Sequence, residues 1–221
     1  DGSEVWYADP SSNPQMIEFM LCVRGQAFNR KPGEENDWCA RGIESKETYY
    51  YRGAFADAVR AIDFVCSLEK TDLDRVFAAG ESQGGALTLA AASLDGRLKA
   101  IAPSAPFLCD YPDYFALVDW PGNWFEDAAR EKGISKEDMF RTLSYFDIKN
   151  LARYIECPVL MGFGLQDVVC PPHTNFAGYN AITAPKQWIV FPDKGHNIGF
   201  QHRWLDSREE FFQQIIAQTT K

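Results

Sequence analysis

Ser82 lies in the pentapeptide Gly80-Glu81-Ser82-Gln83-Gly84, a Gly-X-Ser-X-Gly pattern that could carry nucleophilic chemistry. An apolar run from Val76 to Ala79 precedes it, and small, helix-favouring residues follow it. This order is typical of a nucleophile elbow, a sharp strand-to-helix turn that presents a serine hydroxyl above a sheet. Gly80 and Gly84 are expected because side chains there would collide where strand and helix come close. The alternative is an ordinary glycine-rich turn, since patterns this short recur by chance.

A serine nucleophile needs a base to accept its proton, and the base needs a carboxylate to orient it. The chain has three histidines, at positions 173, 196 and 202. His196 directly follows the last predicted strand, and functional groups in open parallel sheets gather at the carboxyl ends of strands. We therefore predict His196 as the base, with His202 as the second choice. Asp167 follows the preceding predicted strand in the same way and is predicted to orient the base, although it could instead cap its loop.

The chain order Ser82, Asp167, His196 is that of the α/β-hydrolases. In the predicted mechanism His196 takes the proton of Ser82 as the hydroxyl attacks an ester carbonyl, and Asp167 stabilises the imidazolium. The backbone N–H of Gln83 is the predicted oxyanion donor, and one such donor contributes about 3 kcal/mol. Water then cleaves the acyl-enzyme. This chemistry requires neither a metal nor an organic cofactor.

The elements that would position these residues alternate along the chain. Apolar runs predict five strands, which are Met16–Val23, Val76–Ala79, Leu98–Ala102, Val159–Phe163 and Gln187–Phe191. Helices are predicted over 53–68, from the elbow to about residue 93, over 171–179 and over 204–217. Strands that alternate with helices predict an α/β-hydrolase fold, with a mostly parallel sheet covered by helices on both faces.

Residues 105–150 interrupt this alternation with a segment that is rich in aromatic residues and contains three prolines. Proline breaks regular structure, so we predict a small helical cap inserted into a single domain that spans 1–221. Most of its aromatic side chains are expected to pack in the core. Pro106, Tyr111 and Trp120 are predicted to contact the substrate.

The bulk composition argues against several other functions. The chain has 221 residues, a formal net charge of -9 and no basic cluster, which argues against a nucleic-acid partner. No apolar run reaches the ~18 residues that a membrane span needs. The six cysteines form no C-x-x-C pair and are interpreted as mostly buried thiols, which favours a reducing compartment. No signal segment is recognised in this chain, so cytoplasmic, periplasmic and secreted locations all stay open.

With these residues placed, the chain resembles carbohydrate esterase family seven, the acetyl xylan esterases and cephalosporin C deacetylases. The matching segments are Arg24-Gly25-Gln26, Arg41-Gly42-Ile43, Thr48–Arg52, Asp57–Ala61, Gly80–Gly85, Pro106–Cys109, Arg141–Asp147, and Asp167 with Cys170-Pro171-Pro172. The likeness extends from about residue 20 to the C-terminus, and Arg-Gly-Gln together with Gly-X-Ser-Gln-Gly is its most specific part.

This resemblance implies an α/β-hydrolase with Ser82, Asp167 and His196 as its catalytic triad. The implied substrates are acetyl esters on short xylo-oligosaccharides and similar small molecules. The resemblance also implies a homo-oligomer, often a hexamer with active sites that face an inner cavity. Arg24 and Gln26 are expected to have a structural role, in which the arginine braces loops by hydrogen bonds to carbonyls.

Three departures from the family pattern change these expectations. Asn197 stands where the family commonly has a glutamate after the catalytic histidine, a residue that the proton relay does not need. The loop after Arg24-Gly25-Gln26 is shorter than usual, which weakens the expectation of a hexamer. Only 23 residues precede that tripeptide, fewer than in the family. We therefore predict an N-terminally incomplete esterase that lacks the first strands and the loop for a second oxyanion donor.

Two other functions stay open at this point. A prolyl-oligopeptidase-like serine peptidase shares the fold and the triad order, but no part of the sequence resembles a propeller domain. A non-catalytic scaffold with a hydrolase fold would be consistent with the absence of a second oxyanion loop.

Overall fold

Four strands and eight α-helices make up residues 16–31, 38–119 and 121–219, the parts that the computed structural model describes. In chain order they are α1 (Tyr50–Ser67), β1 (Phe77–Glu81), α2 (Gln83–Leu94), β2 (Ala100–Ser104), α3 (Tyr111–Leu117), α4 (Gly122–Glu131), α5 (Lys136–Ser144), α6 (Ile148–Leu151), β3 (Val159–Gly164), α7 (Pro172–Ala181), β4 (Lys186–Phe191) and α8 (His202–Thr219). Short 3-10 helices cover Ala27–Asn29 and Ala152–Tyr154. None of the described helices is long and apolar enough to span a bilayer.

The four strands form one parallel sheet in the order β1-β2-β3-β4. Every residue of the two inner strands is buried, as expected for a parallel sheet covered on both faces. Glu81 pairs with Ser104, and Gly164 pairs with Phe191, so neighbouring strands end at the same level. The loops that follow β1, β3 and β4 therefore begin at one edge of the sheet. The predicted α/β-hydrolase architecture is confirmed in this part of the chain.

Side chains of the inner strands alternate between two buried clusters. Ala100 and Ala102 of β2, with Leu160 of β3, belong to the cluster that contains Trp204 of α8. Ile101 of β2 belongs to the larger cluster on the other side, together with α1 and α2. This two-residue period is that of a strand with one helical layer on each face.

The segment 105–150 is helical, as predicted, and contains α3, α4, α5 and most of α6. Its aromatic side chains pack largely inward: Phe125 is fully buried, and its ring lies 5.8 Å from that of Tyr111, edge to face. The buried carboxylate of Asp147 accepts hydrogen bonds from the backbone N–H groups of Asp110 and Tyr111, at 2.8 and 2.9 Å. Asp147 thus ties the end of the segment to its beginning. The assignment of residues 105–150 as a cap within one domain stays a prediction.

The predicted strand over Met16–Val23 is wrong. These residues have no ladder partner among the described residues, and Ile17, Phe19 and Met20 are exposed. The segment lies against α1 instead, where the ring of Phe19 is 5.0 Å from that of Phe64. An apolar run can bury part of its surface on a helix as well as in a sheet, so its composition alone did not determine a strand.

The turn that follows this segment is held by α1. The guanidinium of Arg24 donates to the carboxylate of Asp57, with Nε 2.7 Å from Oδ2. The amide of Gln26 donates to the hydroxyl of Tyr50 at 2.9 Å, and that hydroxyl donates to the carbonyl of Arg24 at 2.8 Å. Both side chains therefore brace the turn, as predicted, but the partner of the arginine is a carboxylate rather than a carbonyl.

All six cysteines are free thiols. Cys39, Cys109 and Cys170 are buried, and the other three are half-buried. The interpretation as thiols rather than disulfides is confirmed.

Substitution of Trp204 tests the packing of α8 on the sheet. Trp204 is 2% exposed, and a Cβ at Gly162 of β3 would lie 2.8 Å from its ring. We expect Trp204→Ala to lower the free energy of unfolding by about 3–5 kcal/mol, because a large cavity would remain between α8 and the sheet. Urea denaturation measures this loss. Trp188→Ala is the matched control, since Trp188 is 55% exposed; an equal loss for the two variants would contradict the assignment.

Candidate active site

Ser82 occupies a strained turn between β1 and α2. Its backbone angles are φ 55° and ψ -116°, a conformation that L-residues rarely adopt and that costs about 1–3 kcal/mol. Three hydrogen bonds hold the turn. The Ser82 N–H donates to the carbonyl of Ser104, and the Ser82 carbonyl accepts from the N–H groups of Ala86 and Phe107, each at 3.0 Å. This is the geometry of a nucleophile elbow.

The close approach of β1 and α2 requires glycine at some positions of the turn. A Cβ on Gly80 would lie 2.4 Å from the carbonyl carbon of Gly84, and a Cβ on Gly85 would lie 2.9 Å from the carbonyl oxygen of Ser104. A Cβ on Gly84 would meet nothing within 4 Å. The predicted collision is therefore confirmed for Gly80 and wrong for Gly84, and Gly85 is the second crowded position.

Asp167 and His196 meet at the carboxyl edge of the sheet. His196 Nδ1 is 2.8 Å from Asp167 Oδ2. The other carboxylate oxygen accepts from the N–H groups of Val169 and Cys170, both at 2.8 Å. The Asp167 side chain is 1% exposed and that of His196 is 20% exposed. A buried carboxylate with all of these bonds fixes the orientation of the imidazole and leaves Nε2 as its outward nitrogen.

The side chain of Ser82 lies against the thiol of Cys170. Burial raises the pKa of this thiol well above its usual range, and the hydrogen bond with Ser82 opposes that rise. No hydrogen bond joins Ser82 to His196 within the described residues. Cys170 thus connects the three residues: its thiol contacts Ser82, and its N–H donates to Asp167, which is bonded to His196.

Gln83 is the first residue of α2. No carbonyl in the described part of the chain accepts a hydrogen bond from its backbone N–H, as expected in the first turn of a helix. Its side-chain amide donates to the hydroxyl of Tyr51 at 3.0 Å. An available N–H beside Ser82 and the positive end of α2 are both suited to an oxyanion, and the role of Gln83 as its donor stays a prediction.

The three predicted substrate contacts have different positions. Tyr111 is 1% exposed and packs in the core, where its hydroxyl lies 3.4 Å from that of Tyr49. Pro106 is buried, and its carbonyl accepts from the amide of Asn175 at 2.8 Å. Trp120 lies outside the described residues.

The other two histidines lie outside this arrangement. His202 is exposed at the start of α8. His173 is exposed on α7, with Nε2 2.6 Å from Oδ2 of Asp113 on α3. In the described residues, His173, Asp113 and Asp110 are the group with ligand atoms close enough for a metal ion. Lys149 Nζ already lies 2.8 Å from Asp110 Oδ1, so both carboxylates have protein partners and we assign no metal to them.

Two residues of the site were missed by the sequence reasoning. Cys170 contacts Ser82 and Asp167, but a single cysteine in a proline-containing loop carries no signal for this contact. Glu81 occupies a variable position of the pentapeptide, and its side chain reaches the loop that follows β4. Such contacts between distant parts of the chain have no local sequence pattern.

A family model and a curated relative both match most of the chain. Residues 13–214 match the family described as Acetyl xylan esterase (AXE1). The chain is 34% identical over 203 residues to acetyl esterase Axe7A of Xylanibacter ruminicola, a match that covers 92% of this chain and 43% of that protein.

Two solved structures are also similar. An acetyl xylan esterase from Paenibacillus sp. R4 is 36% identical with a TM-score of 0.80, over 87% of this chain and 63% of that one. Acetyl xylan esterase 1 from Thermoanaerobacterium sp. JW/SL YS485 is 33% identical with a TM-score of 0.77, over 87% and 64%. The chain spans less than two thirds of the length of each of these three proteins.

Two neighbouring glycines test the crowding at the elbow. We expect Gly80→Ala to lower the free energy of unfolding by about 1–3 kcal/mol, because its Cβ would push α2 away from β1. Gly84→Ala is the matched control. It should leave stability unchanged or raise it by about 0.5–1 kcal/mol, since alanine is favoured over glycine in a helix and has open space there. Thermal and urea unfolding of both variants measure the difference, and equal losses would count against the described turn.

Proposed function

Because the chain belongs to the acetyl xylan esterase family, we propose that it is a serine carboxylesterase that removes acetyl groups from acetylated xylo-oligosaccharides and related small acetyl esters. The observation that carries the proposal is the hydrogen-bonded Asp167–His196 pair, which lies at the same sheet edge as the strained turn of Ser82. This arrangement suits proton transfer from a serine to a histidine that an acid orients.

In the proposed mechanism, Ser82 attacks the carbonyl carbon of the acetyl ester while Nε2 of His196 accepts the hydroxyl proton. Asp167 holds Nδ1 in its protonated form and stabilises the imidazolium that results. The backbone N–H of Gln83 donates to the developing oxyanion. His196 then gives its proton to the sugar oxygen, which leaves as an alcohol. Water attacks the acetyl-enzyme with His196 again as base, and releases acetate and free Ser82.

Ser82 needs to leave the Cys170 thiol for this reaction. A hydroxyl-to-thiol hydrogen bond is weak, and rotation about χ1 moves the hydroxyl between staggered positions. Catalytic hydrogen bonds are commonly long without substrate and shorten in the substrate complex. The contact with Cys170 is therefore compatible with a nucleophilic role of Ser82.

Assembly of several copies, a hexamer in particular, stays a prediction that depends on the family resemblance alone. Light scattering coupled to size exclusion measures the number of copies directly.

Substitutions of the proposed triad test the mechanism. We expect Ser82→Ala to lower kcat/KM for p-nitrophenyl acetate by about 10⁴-fold or more, because it removes the nucleophile. Asp167→Asn should lower it by about 10³–10⁴-fold, because the imidazole would lose its orienting charge and adopt the wrong tautomer. Ser67→Ala is the matched control, since Ser67 is an exposed serine at the end of α1. Equal acetate release by wild type and Ser82→Ala would favour a non-catalytic scaffold instead.

Acyl and leaving groups test the substrate class. Acetylated xylo-oligosaccharides and cephalosporin C should release acetate, whereas butyryl and longer esters of the same alcohols should react at least about tenfold more slowly in kcat/KM, because a small acyl pocket excludes extra methylenes. Peptide anilides should not react. Faster cleavage of peptide anilides than of acetyl esters would point to a peptidase.

A further inference from the structure

Glu81 connects the strand that carries Ser82 to the loop that carries His196. It is the last residue of β1, next to Ser82 in the chain. Its carboxylate accepts a hydrogen bond from the backbone N–H group of Gly199, which follows His196 between β4 and α8. This bond joins residues 118 positions apart, and it connects the strand that leads to the proposed nucleophile with the loop that follows the proposed base.

The histidine loop is packed on both sides of this bond. Before His196, the carbonyl oxygen of Gly195 approaches β3 so closely that a Cβ on Gly164 would lie 2.1 Å from it. After His196, Ile198 is fully buried in the cluster beneath α8. A Cβ on Gly199 would lie 2.7 Å from the carboxyl carbon of Glu81, so a glycine at 199 lets the carboxylate reach the backbone.

The carboxylate also acts on the site electrostatically. Burial raises the pKa of Glu81 above its usual value, and the hydrogen bond from Gly199 and the charge of His196 oppose that rise. Asp167 is the other charged group that acts on Glu81, and it raises the pKa further. The charge of Glu81 in turn contributes to the raised pKa of the Cys170 thiol. The charge of Glu81 thus acts on His196 in addition to that of Asp167, which is hydrogen-bonded to the imidazole.

We propose that Glu81 is a positioning residue, a proposal that rests on the proposed esterase function. Its carboxylate holds the loop of His196 against the strand of Ser82 and favours the imidazolium during proton transfer. It touches neither substrate nor the reacting atoms. Its effect is exerted through the backbone of Gly199 and through the charge that it presents to His196.

Two substitutions separate these contributions. Glu81→Ala removes both the hydrogen bond from Gly199 and the charge, and we expect kcat for p-nitrophenyl acetate to fall about 10- to 100-fold, with KM changed less than about twofold. Glu81→Gln keeps the shape and an accepting carbonyl but removes the charge. It should lower kcat less, with KM again nearly unchanged, because it loses the charge presented to His196 but keeps an acceptor for the Gly199 N–H. Glu69→Gln, at an exposed glutamate, is the matched control and should change neither quantity.

Stability distinguishes positioning from a general loss of structure. A carboxyl whose pKa is raised on folding contributes stability at low pH that is lost as pH rises through the folded pKa. At neutral pH, Glu81→Gln should therefore unfold at the same or a higher temperature than the wild type while it is less active. If Glu81→Ala is as active as the wild type at every pH, the proposal is overturned. It is also overturned if Glu81→Gln loses activity and its unfolding temperature falls in parallel.

A double-mutant cycle tests the contact itself. Gly199→Ala should displace the carboxylate and reduce kcat about as much as Glu81→Ala does, and the double variant should lose no more than either single variant. Multiplicative losses would overturn the proposal, because they would show that the two positions act independently.

A readout without an ester substrate separates this proposal from the proposed function. The rate at which a fluorophosphonate modifies Ser82, measured by mass spectrometry, reports activation of the hydroxyl by His196. If the wild type releases no acetate but is modified, and Glu81→Ala slows that modification at least about tenfold, the positioning role stands while the esterase assignment fails. Unchanged modification in Glu81→Ala overturns the positioning role, whatever the substrate is.

Discussion

The close contact of β1 with α2 is the constraint on which the site depends. The backbone of Gly84 lies where a side chain on Gly80 would be, and the carbonyl of Ser104 limits the space at Gly85. This contact forces Ser82 between them into an unfavourable conformation. The strain persists because hydrogen bonds hold the backbone of Ser82 in this conformation. Its N–H donates to the carbonyl of Ser104 on β2, and its carbonyl accepts from the N–H of Phe107. The serine is held at the sheet edge because the helix that follows is pressed onto the strand.

The parallel sheet brings the other groups to the same edge. Paired strands end together, so the loops after β3 and β4 start beside the elbow. A buried carboxylate is costly unless its oxygens are paired, and Asp167 accepts from Val169, Cys170 and His196. The loop of Asp167 is thereby folded around its own side chain. The orientation of the imidazole consequently depends on a short local structure and not on long flexible side chains.

The sequence predicted where the strands of the sheet lie. The predicted runs 98–102, 159–163 and 187–191 all overlap observed strands, with ends that differ by two residues or fewer, because short, mainly apolar runs suit a parallel sheet. The run 16–23 has the same composition, yet it packs on α1, since the pattern does not specify the partner. The contact of Asp167 with His196 could be expected from their positions after strands. The contacts of Cys170 and Glu81 could not, because they depend on how distant loops meet in three dimensions.

The side chain of Asp167 is held more firmly in the site than that of Ser82. Asp167 has hydrogen bonds to both oxygens and is almost completely buried, so movement of the acid would break several bonds in a poorly solvated place. Ser82 has a fixed backbone, but its hydroxyl has only a soft contact with a neutral, buried thiol. A thiol is a weak acceptor, and its raised pKa keeps it from becoming a thiolate that would hold the hydroxyl strongly. Rigid placement of the backbone together with a hydroxyl that rotates at low cost allows one side chain to face Cys170 in the resting protein and His196 during the proposed reaction.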